Sequence, residues 1–468
     1  MLIVGAGSAG SILAERLSAD PSCRVTVVEA GPFVPYSTSA DAVSRVDLLP
    51  IGDGSVVARR YRATLTDSPV REAVVVRGAL VGGSGAVNGG YFCRALPRDF
   101  DRYDVPGWSW SRALDSYRAI ETDLDFDGAA HGQSGPIRVR RTSEFGALSQ
   151  RFIDAADGLG FGWIEDLNDV TDQYISGIGA VPLNVIDGVR VGPGAAFLEP
   201  ALSRPNLTLL SGTRALGLRF AGTTVTGVDA QGPEGPVILD ADRIVLCAGA
   251  IGSAHLLMLS GIGDEAMLRG ADVAVRIPLP VATSCIDHPE WLLPTPWPAS
   301  PGRPILETIL TLAGNIEIRP YTVGFAAMTG SSAPDHPDLP HVGVVLMSPR
   351  SRGRIRLLSG DPAIDPQIEY RYDSEPLDIA ALRTGAQLAD ELLDIPFRAS
   401  EPIWSTSQHL CGTAPMGGGD QAVVDERCRV HGLDNLWVID GSVLPTIPSR
   451  GPHATIAMLA HRAAEFVC

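Results

Sequence analysis

The sequence predicts an α/β protein. A nucleotide-binding domain built on a parallel sheet is interleaved with a smaller α+β domain built on an antiparallel sheet. Three observations predict it. The glycine-rich run Gly5-Ala6-Gly7-Ser8-Ala9-Gly10 follows an apolar start, and Glu29 lies nineteen residues beyond its last glycine. Apolar strand–turn–helix patterns recur at 207–263 and 435–468. Between them, Ile316-Glu317-Ile318 and His341-Val342-Gly343-Val344-Val345-Leu346 alternate as antiparallel strands do.

The opening unit reads as Rossmann-like. Met1-Leu2-Ile3-Val4 is a buried strand, 11–17 a helix, and Arg24-Val25-Thr26-Val27-Val28-Glu29 the second parallel strand. Gly5 makes the tight turn, Gly7 lets backbone approach a pyrophosphate, and Gly10 lets the helix pack on the strand. The helix N-terminus faces the phosphate charge, and Ser8 and Ala9, just before it, are expected cofactor contacts. Glu29, followed by Ala30, ends strand two, where a carboxylate accepts from ribose hydroxyls and disfavours the 2′-phosphate of NADP. The motif predicts a dinucleotide and does not choose between FAD and NAD.

Further along, 244–263 is uncharged and long enough to span a membrane, but its four glycines, two serines and His255 read as strand, turn and helix. The Pro-rich stretch 278–304 is expected to be irregular chain crossing between domains. Arg350, Arg352, Arg354 and Arg356 alternate and would share one solvated or salt-bridged strand face. Residues 376–393 read as a helix, Leu436-Trp437-Val438-Ile439-Asp440-Gly441 as strand then turn, and 455–466 as the last helix. The expected division is a discontinuous nucleotide-binding domain of 1–135, 170–285 and 400–468, with a second domain of 136–169 and 286–399.

Composition narrows the function. A chain of 468 residues, 45% hydrophobic and 19% charged, buries a large core and has no disordered segment. A net charge of −17 makes nucleic acid and anionic membrane surfaces poor partners. No transmembrane segment is expected, and peripheral membrane contact stays open. All 37 basic residues are arginine, which excludes lysine Schiff bases and Walker-type phosphate lysines. Seven cysteines (23, 93, 247, 285, 411, 428, 468) lack CxxC spacing, and nine histidines lack HExxH spacing, so no metal is expected. Scattered thiols and a first strand with no room for a signal peptide before it point to the cytoplasm.

Later motifs carry a resemblance. Arg77-Gly78-Ala79-Leu80-Val81-Gly82-Gly83-Ser84-Gly85-Ala86-Val87-Asn88-Gly89-Gly90, with Phe92, Ala95 and Asp101, resembles the first signature of the glucose–methanol–choline (GMC) flavoprotein oxidoreductases. Ala79 departs from the usual basic residue. Ala248 precedes Gly249-Ala250-Ile251-Gly252-Ser253-Ala254-His255-Leu256-Leu257-Met258-Leu259-Ser260-Gly261-Ile262-Gly263, which is similar to the second signature, with Ala254 in place of proline or serine. Ile286-Asp287-His288-Pro289 resembles the Asp-His turn, and Pro349-Arg350-Ser351-Arg352-Gly353-Arg354-Ile355-Arg356-Leu357 a substrate-domain hairpin. His409-Leu410-Cys411-Gly412-Thr413 resembles the loop bearing the catalytic histidine. Asp440-Gly441-Ser442-Val443-Leu444-Pro445 resembles a flavin-contacting turn, and His453-Ala454-Thr455 the second active-site position.

The resemblance implies FAD, a substrate-binding second domain, and oxidation of an alcohol to a carbonyl. It implies flavin contacts from Gly82, Gly83, Ser84, Val87, Asn88, Gly89, Gly90, Ala215, Ala248, Gly249, Asp440, Gly441, His453, Ala454 and Thr455, besides the opening motif. Val87 stands where some members attach flavin through histidine, so the FAD is expected to be non-covalent. The chain is short for the family and resembles the branch associated with the peptide-derived redox cofactor mycofactocin, whose reduced form would then be a donor. The sequence does not separate oxygen from a respiratory electron acceptor, though a dehydrogenase is favoured over an oxidase.

The chemistry needs a base for the hydroxyl proton, and histidine suits it. His409 is the candidate base, and His453 the donor to the substrate oxygen. Each has a plainer reading, as a loop or helix-entry histidine with structural hydrogen bonds. His288 reads as a domain-interface histidine and Cys411 as a buried thiol. Trp291, Trp297 and Trp404 would line a pocket or pack in cores or interfaces, and His131, His336, His341, His431 and His461 are assigned no role. Two other functions share the scaffold: hydroxynitrile cleavage with a structural flavin, and flavin binding without turnover. An NAD-dependent reductase is a further option.

Overall fold

The computed structural model describes every residue except 40–42, 170–173, 314, 333, 334, 336, 395–401 and 468. His336, Cys468 and the boundaries drawn at 170 and 400 therefore lie outside the described residues.

Five short strands form a parallel sheet in the order Leu207–Leu210, Val25–Val28, Leu2–Val4, Ile244–Leu246, Leu436–Val438. They are largely apolar and buried, with Ile3, Val27, Ile244, Val245 and Leu246 at 0% exposure, as parallel strands covered on both faces must be. From Leu2–Val4 the chain steps to one side through the helix Ser8–Ser18, while Ile244–Leu246 pairs on the other side. Strand order reverses there, and the carboxyl ends of those two strands leave a crevice. The opening helix packs on the final helix, His453–Val467, which begins directly after Pro452, two residues before its expected start. Ala454, Ala457, Ala460 and Ala463 are fully buried in it, small residues that favour helix and close approach.

A second, antiparallel sheet runs Ile403–Thr406, Pro289–Pro294, Pro340–Leu346, Ile316–Gly324, Thr308–Leu312, Gly177–Ala180. The alternating runs are thus strands, paired Ile318 to Val344 and Glu317 to Val345. Gly177–Ala180 and Ile403–Thr406 join this sheet from stretches that the sequence division assigns to the nucleotide-binding part. Helices Ala147–Gly158 and Pro376–Leu393 cover one face, where Phe152, Leu382 and Ala386 pack with Ile318, Val342 and Val344. The other face carries Glu290, Glu317 and Arg319, all buried. Gly343 makes room there, since a Cβ would sit 2.2 Å from Glu290 Oε1.

Two expectations are corrected. The Pro-rich stretch contains the strand Pro289–Pro294, bonded on both sides. Its prolines occupy the two ends, where a missing N–H costs least, and Glu290, Trp291, Leu292 and Leu293 keep the ladder. The four arginines do not share one strand face, because the strand is only Arg354–Arg356. Arg354 and Arg356 both pair with Glu369, at 2.6 and 3.3 Å, while Arg352 folds back on the carbonyls of Pro349, Arg350 and Ser351. That strand belongs to a four-stranded sheet with the long hairpin Ala58–Asp67 and Val70–Gly78.

Candidate active site

At the switch point the first turn is closed by glycines because nothing larger fits. Gly5 has φ +103°, and a Cβ on it would meet Cys247 O at 2.5 Å. A Cβ on Gly10 would lie 1.9 Å from Gly5 O, so Gly10 sits behind the cradle and not in its wall. Gly7 is the N-cap of the opening helix and no side chain caps it, which leaves first-turn N–H groups facing the cleft beside Ser8 and Ala9. Gly83 closes from across, since a Cβ there would fall 2.8 Å from Gly7 Cα.

One cleft of about 350 Å³ runs from this cradle to both candidate histidines. Gly5, Gly7, Ser8, Ala9, Glu29, Ala30, Gly83, Ser84, Asn88, Ala215, Ala248, Gly249, Asp440, Gly441, His409 and His453 all line it. Glu29 accepts from the N–H groups of Ala6 and Gly31 at 2.9 and 2.8 Å, and burial raises its pKa. Asp440 is saturated within the protein: Oδ2 accepts from Gly249 N and Ser253 Oγ at 2.8 and 2.6 Å, and Oδ1 from Ser442. It pins the turn that walls the cleft.

Seven of the expected contact residues do not line this cleft. Besides Gly10, Gly82 does not line the cleft and donates its N–H to Ala6 O at 2.7 Å, and Val87 packs with Val43, Val57 and Leu80 in a small apolar cluster. Gly89 and Gly90 pass outside the wall, Gly90 against Val185. Ala454 is enclosed in the final helix, and Thr455 points to Tyr117, their hydroxyls 2.8 Å apart. Trp291 and Trp404 pack edge-to-face at 5.4 Å and, like Trp297, do not line the cleft.

His453 heads the final helix with its ring edge-on to Phe92 at 5.5 Å. Asn88 fixes its protonation. The N–H of Gly90 donates to Asn88 Oδ1 at 2.9 Å, so the amide nitrogen faces His453 Nδ1, 3.1 Å away. An NH₂ group there requires a bare Nδ1, which puts the ring proton on Nε2. That nitrogen is buried with no protein partner. Burial, and then Arg190, lower the His453 pKa to about 4.

His409 follows Gln408, which holds φ +60° while its side-chain carbonyl accepts from Val76 N at 2.8 Å and Arg77 Nη1 at 3.1 Å. Burial drives the His409 pKa well below 6.5, with His288, Arg319, Arg77 and His453 adding to it. Both imidazoles are therefore neutral near pH 7, so one can accept and the other donate. His288, read from the sequence as a domain-interface histidine, has its Nδ1 2.9 Å from His409 Nδ1. Tyr91, Gln408, Gly451 and Pro452 also line this end. The Asp-His motif was the signal available for His288; Tyr91 and Gly451 had none.

The cleft fits FAD. Its start offers uncapped helix N–H groups and closely spaced glycines, and Arg59, Arg77 and Arg214 line it in a strongly acidic chain. Its other end offers an unpartnered, buried His453 Nε2.

Elsewhere Glu121, Asp123 and His131 come within ligand reach of one another. Their charges are met internally: Arg94 pairs with Glu121, Arg141 with Asp123 and Asp166 at 2.8 and 2.7 Å, and His131 with Asp123 and Asp166 at 3.1 and 2.8 Å. The arrangement is a buried ionic lock.

Comparison with known proteins identifies the family. The GMC oxidoreductase family pattern matches residues 1–290 in its N-terminal part and 349–460 in its C-terminal part. An uncharacterised GMC-type oxidoreductase of the thcA 5′ region of Rhodococcus erythropolis is 41% identical, covering 100% of this chain and 97% of the relative. Pyridoxine 4-oxidase of Microbacterium luteolum is 31% identical over 98% of this chain and 97% of its own. The crystal structure of pyridoxine 4-oxidase from Mesorbium loti superposes with a TM-score of 0.88 at 27% identity, over 99% of this chain and 98% of that one. Among the described residues, no helix is long and apolar enough to cross a membrane.

Proposed function

The chain belongs to the GMC oxidoreductase family, whose members are FAD flavoproteins, and on that premise we propose that it oxidises an alcohol CH–OH to a carbonyl. The observation that carries this reading is one cleft joining the nucleotide cradle to two neutral imidazoles. His409 Nε2 takes the hydroxyl proton of the substrate. His453 Nε2–H donates to the same oxygen and holds its developing negative charge. Asn88 keeps that donor in place. FAD, when bound, supplies the acceptor for the hydride leaving the carbon. The wall of glycines, helix N–H groups and arginines binds and orients it.

The FAD is dissociable in this reading, as Val87 lies in an apolar cluster away from the cleft; acid precipitation should leave all flavin in the supernatant. The protein works in the cytoplasm, a setting that suits its six described free thiols. As donor we propose a primary alcohol or reduced mycofactocin, and as acceptor a respiratory carrier. Reduced mycofactocin should bleach the flavin faster than simple primary alcohols. Stoichiometric oxygen uptake would make the protein an oxidase, as the pyridoxine-oxidising relatives are named.

The deciding experiment mixes the holoprotein anaerobically with a panel of alcohols including pyridoxine. Bleaching of the yellow band supports the reading. An unchanged spectrum with cyanohydrin cleavage replaces it with a lyase, and no turnover of either kind leaves a binding protein. His409→Ala should slow bleaching by about 10²–10⁴-fold while FAD stays bound. A variant that keeps most of the rate removes the base assignment.

A further inference from the structure

His288 has no use in the reaction as written. It is 0% exposed and does not line the cleft. Its ring stands edge-on to that of His409, with interplanar angle 89°, centroids 5.1 Å apart and the two Nδ1 atoms 2.9 Å apart. Asp287 brackets both residues from the backbone. Its Oδ1 accepts the N–H of His288 at 2.7 Å and that of His409 at 2.8 Å, and its Oδ2 accepts from Thr406 Oγ1 at 3.1 Å. The rings are thus set against each other by their own main chains.

Two nitrogens at that separation share one proton, and its owner decides what His409 offers the cleft. With both rings neutral, a proton on His288 Nδ1 forces the His409 proton onto Nε2, which then can only donate. A proton on His409 Nδ1 leaves Nε2 bare. Nε2 of His288 has no hydrogen bond of good geometry, yet the carbonyls of Pro448 and Met347 act on that ring as acceptors. Carbonyl oxygens beside a nitrogen favour N–H there and repel a lone pair. Where those carbonyls face Nε2, the bare nitrogen of His288 is Nδ1, the atom 2.9 Å from His409 Nδ1.

We propose that His288 is a positioning residue: its Nδ1 accepts the Nδ1 proton of His409 and so holds His409 in the tautomer whose unprotonated Nε2 faces the cleft. This rests on the reading of His409 as base and deepens it. As the substrate O–H bond breaks and its proton joins Nε2, His409 becomes cationic and its Nδ1–H bond to His288 strengthens. The hydride, with its electron pair, leaves the same carbon for the flavin. Asn88 imposes the opposite tautomer on His453, so the pair presents one acceptor and one donor to one oxygen.

The test is the ¹⁵N spectrum of histidine-labelled, FAD-loaded protein, with His409 assigned by its loss in His409→Ala. The expected result is a protonated Nδ1 and a bare Nε2 on His409. The same state should persist in His288→Asn, which keeps an acceptor near the Nδ1 position, and give way to a mixture in His288→Leu. Flavin reduction by the fastest alcohol of the panel should fall roughly 100-fold in His288→Leu. That is less than the ~10⁴ lost where a carboxylate sets the tautomer, because a neutral imidazole holds it more weakly. His288→Asn should restore most of the rate. A proton found on His409 Nε2 in the native protein overturns the proposal, as does a His288→Leu protein with native tautomer and rate. If His288→Leu does not fold, the native and His288→Asn spectra decide. Should His409→Ala keep its rate, the base assignment falls, while the native spectrum still judges His288.

Discussion

Arg190 carries a guanidinium into the interior with carbonyl oxygens around it. It donates to Val43, Arg45, Leu48 and Ala86 at 3.0, 3.3, 3.3 and 3.1 Å and also to Asn88 O, and no carboxylate pairs with it among the described residues. Burial alone lowers its pKa, to about 9, so it stays charged at neutral pH. It ties residues 43–48 to the loop that presents Asn88, and its charge helps keep His453 neutral. Arg190→Met should therefore strand several carbonyls and lower stability by about 3–5 kcal/mol, read as a lower urea midpoint with FAD released early. At this scale local motifs in the sequence pointed to His409, His453 and Asn88, and all three line the cleft. The contact of His288 with His409 was not legible, since it depends on a ring 121 positions away in the chain. Gln408 was hidden too, because a left-handed φ on a non-glycine leaves no mark in the sequence.

The two glycine-rich loops separate glycines that the packing demands from glycines it merely permits. An alanine at Gly10 would put Cβ 1.9 Å from a backbone oxygen, so Gly10→Ala must push strand from helix and should empty the cradle. The expected outcome is loss of bound FAD with a stability cost of about 1–3 kcal/mol or more, measured by flavin content and thermal unfolding. At Gly89 a Cβ would find nothing within 4 Å, and Gly89→Ala should keep full FAD content and stay within about 0.5 kcal/mol. Among the elements, the parallel strands and the helix Pro376–Leu393 were readable from apolar runs and periodicity. The strand Pro289–Pro294 was not, because prolines at its ends resemble prolines in a loop. The hairpin Ala58–Gly78 escaped because much of it is open to solvent and it has no strong apolar alternation.

Across the whole molecule, histidines set opposing slopes of stability against pH. Burial lowers His255, His453 and His461 to about 4 and His288 to about 3, and takes His409 well down. Unfolded, each would take a proton near pH 6.5, so their contribution is complete above 6.5 and is lost as pH falls toward 4. The loss is about 1.4 kcal/mol per pH unit for each extra proton bound by the unfolded chain. His131 runs the other way. Burial opposes its charge, but Asp123, Asp166 and Glu121 outweigh that and raise its pKa to about 11. Its contribution is complete below 6.5 and fades as pH rises toward 11. Thermal midpoints should fall steeply on the acid side and gently on the alkaline side, with His131→Gln flattening only the alkaline limb. The parallel sheet has a consequence in time. Its first strand pairs with Ile244–Leu246, which pairs with Leu436–Val438, and His453 follows only after that. A nascent chain emerging from the ribosome must therefore keep its opening glycines waiting until residues more than 400 positions later have been made, before a pocket exists that could retain its coenzyme.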